Sequence, residues 1–259
     1  MMMTAEWKIT IHKKVASKNA VMFEGMPGIG NVGKIAADVL AEQLKAVCVA
    51  TFFSYCLPNS VFVQEDNTVE LPKIDLYYKK VKGRDFFFLL GDVQPMKEED
   101  NYMFTEAVLK TAKSFKIKEV IGLGGIGLQE EPMDSQVYCI GNDKAFAKTF
   151  EKLGANTKLY GVVGPIMGVT GLLLGLSANY GMKSAALLAE TYAGPMHIGL
   201  QEARGLMKML IKRYRLGVNL DRYEKDISRL ETELKPKARQ QELIEQEQEG
   251  HHHDTSYIG

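Results

Sequence analysis

The sequence predicts an α/β fold of the doubly wound kind, in which strands and helices alternate around a largely parallel sheet. Three observations lead there. From residue 86 onward, runs that read as strands alternate with runs that read as helices. Residues 86–90, Phe-Phe-Phe-Leu-Leu, are continuously apolar and end in Gly91-Asp92, as expected of a central strand buried on both faces. One glycine-rich design then occurs three times, each time after an apolar run and before a stretch that mostly reads as helix. The copies are Met26-Pro27-Gly28-Ile29-Gly30-Asn31-Val32-Gly33, Gly122-Leu123-Gly124-Gly125-Ile126-Gly127 and Gly161-Val162-Val163-Gly164-Pro165-Ile166-Met167-Gly168. Glycine permits positive φ and close backbone approach, so such segments gather where strand ends open a crevice.

The elements follow in order. Residues 7–11 alternate, 20–24 are apolar, and 46–53 are β-branched and aromatic, so the first part reads as strands. Residues 61–64 and 69–71 flank the turn-prone Glu65-Asp66-Asn67 and read as a hairpin, after which Ile74, Leu76 and Tyr78 alternate with Asp75, Tyr77 and Lys79. A helix is expected at 98–115, with Glu98, Glu99 and Asp100 as its acidic first turn, and strands at 120–123 and 137–140. Asp143 is placed to cap a helix over 144–153, with Gly154 just beyond its end. A strand at 158–163 and helices at 171–178, 183–192 and 197–216 complete the reading.

Beyond Gly217 the character changes. Leu220, Tyr223, Ile227, Leu230 and Leu234 are spaced three, four, three and four apart, the seam of a coiled coil. Pro236 interrupts it, and a glutamate- and glutamine-rich helix follows to residue 249. The expected organisation is a core domain at 1–217, a helical, coiled-coil-like extension at 218–249 and a flexible tail at 250–259.

Composition excludes several function classes. The charge is balanced, 32 basic against 32 acidic residues, which gives no general attraction to nucleic acid or acidic lipid. Cys48, Cys56 and Cys139 are too scattered for a disulfide framework or a CxxC metal site, and residues 1–14 lack the apolar core of an export signal. A cytoplasmic protein is expected. Residues 159–182 carry no charge and hold Gly164, Gly168, Gly171 and Gly175 at GxxxG spacing, but Gly164-Pro165 would break a spanning helix and Asn179 would have to be hidden. The expectation is a buried core segment, with no membrane partner.

The motifs give partial matches to chemistry. Gly28-x-Gly30-x-x-Gly33 fits the dinucleotide fingerprint, but no acidic residue occurs between 47 and 57, where the ribose ligand belongs. Gly28-x-x-x-x-Gly33-Lys34 approaches a phosphate loop, yet Ile35 occupies the position of the magnesium-holding hydroxyl. His12 and His197 have no serine or cysteine nearby in sequence, and His197 reads as a helix-start or packing residue. Glu130, Glu131 and Asp134 read as a solvated loop that could instead set carboxylates beside the second glycine segment, and His251 to His253 as a solvated tract. No catalytic set, metal site or cofactor is expected.

Three stretches carry a resemblance: Val21-Met22-Phe23-Glu24-Gly25-Met26-Pro27-Gly28-Ile29-Gly30-Asn31-Val32-Gly33, Gly164-Pro165-Ile166-Met167-Gly168-Val169-Thr170-Gly171-Leu172-Leu173-Leu174, and Leu187-Leu188-Ala189-Glu190-Thr191. Taken in order, over about residues 20–216, they resemble the archaeal members of the proteasome assembly chaperone family. That resemblance implies a three-layer α/β/α core similar to the nucleoside phosphorylase/hydrolase fold, with the helical extension appended. It also implies a homo-oligomer, trimer to pentamer, without a catalytic set, whose partners are proteasome α-subunits or a related complex. Family members engage the α-ring through a C-terminal hydrophobic-tyrosine-any tripeptide; here the chain ends Ser256-Tyr257-Ile258-Gly259, with the tyrosine third from the end. Tyr257, Ile258 and Gly259 are the expected partner-binding residues, and Leu220, Tyr223, Ile227, Leu230 and Leu234 the seam that orders the arms. The alternative is a ligand-binding protein or enzyme for a nucleoside, nucleotide or phosphate. It would use the glycine-lined crevice of Gly28, Gly30, Asn31, Gly33, Gly124, Gly125, Gly127, Gly164 and Gly168.

Overall fold

In the computed structural model, which describes residues 6–64, 66–161, 164–194, 197–221 and 223–225, most of the apolar runs join one eight-stranded sheet. In chain order the elements are β1 (Lys8–Ile11), β2 (Ala20–Gly25), α1 (Val32–Gln43), β3 (Val47–Phe53), β4 (Phe62–Val63), β5 (Val69–Glu70), β6 (Ile74–Val81) and β7 (Arg84–Gly91). Then come α2 (Glu98–Ser114), β8 (Ile117–Leu128), β9 (Val137–Gly141), α3 (Lys144–Glu151), α4 (Gly168–Leu176), β10 (Lys183–Tyr192) and α5 (Leu200–Tyr214). The sheet order is β1-β3-β6-β7-β2-β8-β10-β9, while β4 and β5 form a separate two-stranded ribbon.

The four middle strands, β7, β2, β8 and β10, run parallel, and antiparallel strands extend the sheet on both sides. This division follows from burial. All six residues of β2 are buried, as a parallel strand covered on both faces requires. Ala20 and Met22 join a core cluster with Phe104, Val108 and Leu109 of α2 and Val169 and Leu173 of α4. Phe23 points the other way, its ring centroid 5.3 Å from that of Tyr214 in α5. On that second face α1 packs along α5, turning Val32, Ala36 and Leu40 inward at a spacing of four. Helices therefore flank a large mixed sheet on both sides. Asp143 caps α3, its Oδ1 accepting the Phe146 N–H at 2.7 Å.

Three expectations are corrected. Residues 183–192, read as a helix, form the strand β10, parallel to β8 and antiparallel to β9. Its alanines, leucines and glutamate favour a helix, but pairing on both sides and burial of Ser184 through Ala189 override that local preference. Residues 158–161, read as the start of a strand, are loop and turn. The segment 122–127 is not a loop between strand and helix; it lies inside β8, where glycine serves close packing.

No helix among the described residues is long and apolar enough to cross a membrane. The described part of 159–182 is loop, the nine-residue α4 and a 3-10 turn at Ser177–Tyr180. The chain divides into two units, Met1–Val218 and Asn219–Gly259. In the second, Asn219 Oδ1 accepts the Asp221 N–H at 2.8 Å, and the Glu224 N–H donates to the Leu220 carbonyl at 2.8 Å. Leu220 and Tyr223 of the seam fall in this short stretch. Ile227, Leu230, Leu234, the histidine tract and Tyr257, Ile258 and Gly259 lie outside the described residues.

Candidate functional site

The chain leaves β2 through α1 toward the β3 side of the sheet and leaves β8 toward β10, so the carboxyl ends of these neighbouring strands form a topological switch point. Ligands of open α/β sheets gather at such points. The first two glycine segments meet in this region, and the third reaches it at Gly168. Gly30 takes φ +60°, and Asn31 follows at φ 50° as the left-handed residue that starts α1. A Cβ at Gly33 would lie on the carbonyl oxygen of Leu123, which fixes the first turn of α1 directly on the β8 backbone. A Cβ at Gly125 would sit 2.7 Å from the Ile29 carbonyl oxygen, one at Gly124 3.2 Å from Leu188 Cδ2, and one at Gly127 3.0 Å from Ala193 Cβ.

The third segment arrives through Gln94, in the loop after β7. Its side-chain amide donates to the Pro27 carbonyl and its Oε1 accepts the Val169 N–H at 3.3 Å, beside Gly168 at φ +75°. Gly28 and Gly164 differ from the others, since a Cβ at either would meet nothing within 4 Å. Gly164 belongs to an apolar groove of about 800 Å³ lined by Ile140, Leu159, Tyr160, Pro165, Ile166 and Leu174.

Beneath these backbones sits Glu24, which sequence reasoning missed as a functional candidate. It is fully buried near the end of β2, where Oε2 accepts the Thr170 O–H at 2.9 Å and Oε1 accepts the Met26 N–H at 3.2 Å. Burial raises its pKa from the ordinary 4.5 to about 7 against the pull of those two hydrogen bonds, so near neutrality the group stands between acid and anion. A signal was present: a glutamate closing an apolar run immediately before a glycine loop belongs to a buried strand end.

A second polar cluster holds the start of α5. Glu202 Oε1 accepts the Thr191 O–H at 3.0 Å and lies 3.2 Å from His197 Nε2. Burial pushes this carboxyl up, but the hydrogen bonds from His197, backbone and Thr191 outweigh it and leave the pKa below the ordinary value. A carboxylate in a first helical turn is favoured by the helix dipole, so this cluster is built to anchor α5. The remaining sequence candidates are dispersed. His12 Nε2 lies 2.8 Å from Thr51 Oγ1, Asp100 of the first turn of α2 accepts the Cys56 S–H at 2.9 Å, and Glu130, Glu131 and Asp134 are exposed between β8 and β9. Among the described residues no three His, Cys, Asp or Glu side chains are grouped to hold a metal ion.

A Methanocaldococcus jannaschii protein, MJ1210, is 27% identical over 93% of each chain. The crystal structure of Pyrococcus furiosus PbaB, an archaeal proteasome activator, matches at a TM-score of 0.73 and 26% identity, over 94% of this chain and 99% of that one. Pyrococcus furiosus PbaA, an archaeal homolog of proteasome-assembly chaperone, shares the fold at a TM-score of 0.75 and 24% identity, over 97% and 99%. The sequence profile of the PAC2 family matches residues 22–237, from the third residue of β2 past the end of α5 and across all three glycine segments; the chain belongs to the PAC2 family.

Proposed function

We propose that this protein is a non-enzymatic, cytoplasmic assembly chaperone or adaptor that forms a homo-oligomer, trimer to pentamer, and serves the proteasome or a related complex. The observation that carries this reading is the end-to-end likeness to PbaB, an archaeal proteasome activator, at 26% identity over 94% of the chain. The body would form the oligomer, the seam of Leu220, Tyr223, Ile227, Leu230 and Leu234 would order the arms, and tails ending in Tyr257, Ile258 and Gly259 would dock on α-subunits. Several tails on one oligomer raise effective concentration at a ring without any new contact. The geometry of the switch point agrees with a structural use of its glycines, since at Gly33 and Gly125 the missing side chain admits neighbouring backbone. The reading requires neither cofactor nor metal.

Light scattering of the protein alone and mixed with proteasome α-subunits from the same source tests it, with the intact chain compared to one truncated after Leu234. The expected outcome is a complex formed by the intact chain and lost on truncation. An oligomer that ignores α-subunits refutes the partner, and a complex indifferent to truncation refutes the tail as its means.

A further inference from the structure

We infer that the β4–β5 ribbon of one copy of this chain seats in the groove beside β9 of the next copy, giving a head-to-tail contact between two surfaces of the same chain. The inference rests on the homo-oligomer proposed above and names its interface. Val63 pairs directly with Val69 across the ribbon, and strand alternation places Val61 and Leu71, just beyond the paired residues, on the same face. These four aliphatics are 51–72% exposed, with Val63 the most open. A two-stranded ribbon on its own is marginal in water, and an apolar ribbon face left uncovered is an association site.

The complementary surface lies at the other end of the sheet. The groove is floored by Leu159, Ile166 and Leu174, next to β9, the strand that ends the sheet. Its polar lining does not suit a small molecule. Asn142 donates through Nδ2 to the Met182 carbonyl at 3.2 Å and accepts the Ser184 N–H through Oδ1 at 2.9 Å, so one donor and one acceptor site of its amide are used within the chain. Specific small-ligand pockets carry a few convergent polar groups for orientation, whereas an apolar trough of about 800 Å³ accepts an apolar ribbon.

The ribbon cannot reach the groove of its own chain. It joins β3 to β6, and five interstrand spacings of about 4.8 Å, roughly 24 Å, separate β3 from β10. A second copy can bring them together, and charge favours that pairing. The ribbon turn carries exposed Asp66, and exposed Lys158 precedes the groove residue Leu159, while Glu70 on the opposite ribbon face is already paired with Lys73 at 2.9 Å. Face-to-face contact of two ribbons would leave both grooves open. Ribbon into groove covers both apolar surfaces at once, and because the two patches differ, the contact is heterologous, the kind that builds a ring when its rotation closes.

Complementation between two variants tests this directly. The double substitution Val63→Asp/Val69→Asp charges the ribbon at exposed positions, and Gly175→Glu charges the groove where a Cβ meets nothing within 4 Å. Circular dichroism confirms that each variant is folded, and Gly164→Glu, also open, is the second groove variant. Light scattering is expected to give several chains for the unaltered protein and one chain for each variant alone. An equimolar mixture of ribbon and groove variants is expected to give a two-chain species, because one intact ribbon still meets one intact groove. The inference is overturned if the groove variants keep the full oligomer, if the mixture stays monomeric, or if the unaltered protein is itself a single chain. Capture of α-subunits is scored separately on the unaltered oligomer, so loss of that partner and loss of this interface are distinct results.

Discussion

Replacing Glu24 with glutamine should reverse the sign of a stability difference between acid and alkaline pH. The carboxyl ionises near 4.5 in the unfolded chain and at about 7 in the fold, where it is fully buried. Between those values the native state holds a proton that the unfolded state has released. Stability therefore falls as pH rises through this window and levels off above it. At 1.36 kcal/mol per pH unit the gap is worth about 3 kcal/mol. Glutamine stays neutral at every pH but rearranges the hydrogen bonds to Thr170 and the Met26 N–H, a loss of about 1 kcal/mol. Glu24→Gln is thus expected to be less stable than the unaltered protein by about 0.5 kcal/mol at pH 4.5, where the unfolded carboxyl is already half ionised, to cross over near pH 5, and to be more stable by about 2 kcal/mol at pH 8. The gain at pH 8 corresponds to roughly 4–8 °C in melting temperature for a domain of this size. Thermal melts of both proteins from pH 4.5 to 8.5, at one fixed protein concentration, measure it. The difference between the two profiles cancels groups titrating elsewhere, such as Glu202, provided they lie apart from Glu24. A constant gap across the whole range would refute the reasoning, because it would mean that Glu24 ionises in the fold as it does in water.

Thr170→Val removes the hydroxyl that donates to Glu24 at 2.9 Å, a bond that matters most to the anion. Its stability deficit should be about 1 kcal/mol larger at pH 8 than at pH 5, and that extra deficit should vanish when Glu24 is already glutamine; urea unfolding at the two pH values checks both statements. Gly33→Ala drives a Cβ into the Leu123 carbonyl and should destabilise by more than about 3 kcal/mol or prevent folding, whereas Gly28→Ala meets open space and should stay within about 0.5 kcal/mol of the parent in the same melts. Equal melting of these two alanine variants would show that α1 can retreat from β8.

The sequence announced the parts of the fold whose local chemistry and tertiary environment agree. Residues 86–90 are apolar without interruption because β7 is covered on both faces, and Asp143 is a cap because its carboxylate accepts the Phe146 N–H. β10 was hidden for the opposite reason. Its Ser-Ala-Ala-Leu-Leu-Ala run has the letters of a helix, and only the presence of β8 on one side and β9 on the other makes it a strand. Sequence periodicity cannot separate a short buried strand from a buried helix, and small residues suit either. At the site, the glycines of the first two segments were legible as residues near the ends of β2 and β8, whereas Gly164 lies in the groove beside β9 and the carboxyl group beneath the others was not legible. Glu24 joins Thr170 across a separation of 146 residues, a contact no local pattern encodes.

The glycine-rich segments divide according to what the missing side chain makes room for. At Gly33 and Gly125 the space is already taken by the backbone of Leu123 and Ile29, so packing requires their small size, whereas at Gly124 and Gly127 the nearest neighbours, Leu188 Cδ2 and Ala193 Cβ, stand at 3.2 and 3.0 Å. At Gly28 and Gly164 nothing of the chain approaches, and there the backbone faces outward. A phosphate-cradling loop needs consecutive backbone N–H groups left open toward the anion, and here a Cβ at Gly30 would meet Thr191 and the Gly199 N, one at Gly33 the Leu123 carbonyl, and one at Gly125 the Ile29 carbonyl. Gly33 and Gly125, two of the glycines that suggest nucleotide chemistry in the sequence, thus pack backbone against backbone between β8 and the start of α1. The apolar surfaces left for recognition lie away from that packing, on the β4–β5 ribbon and along the groove beside β9.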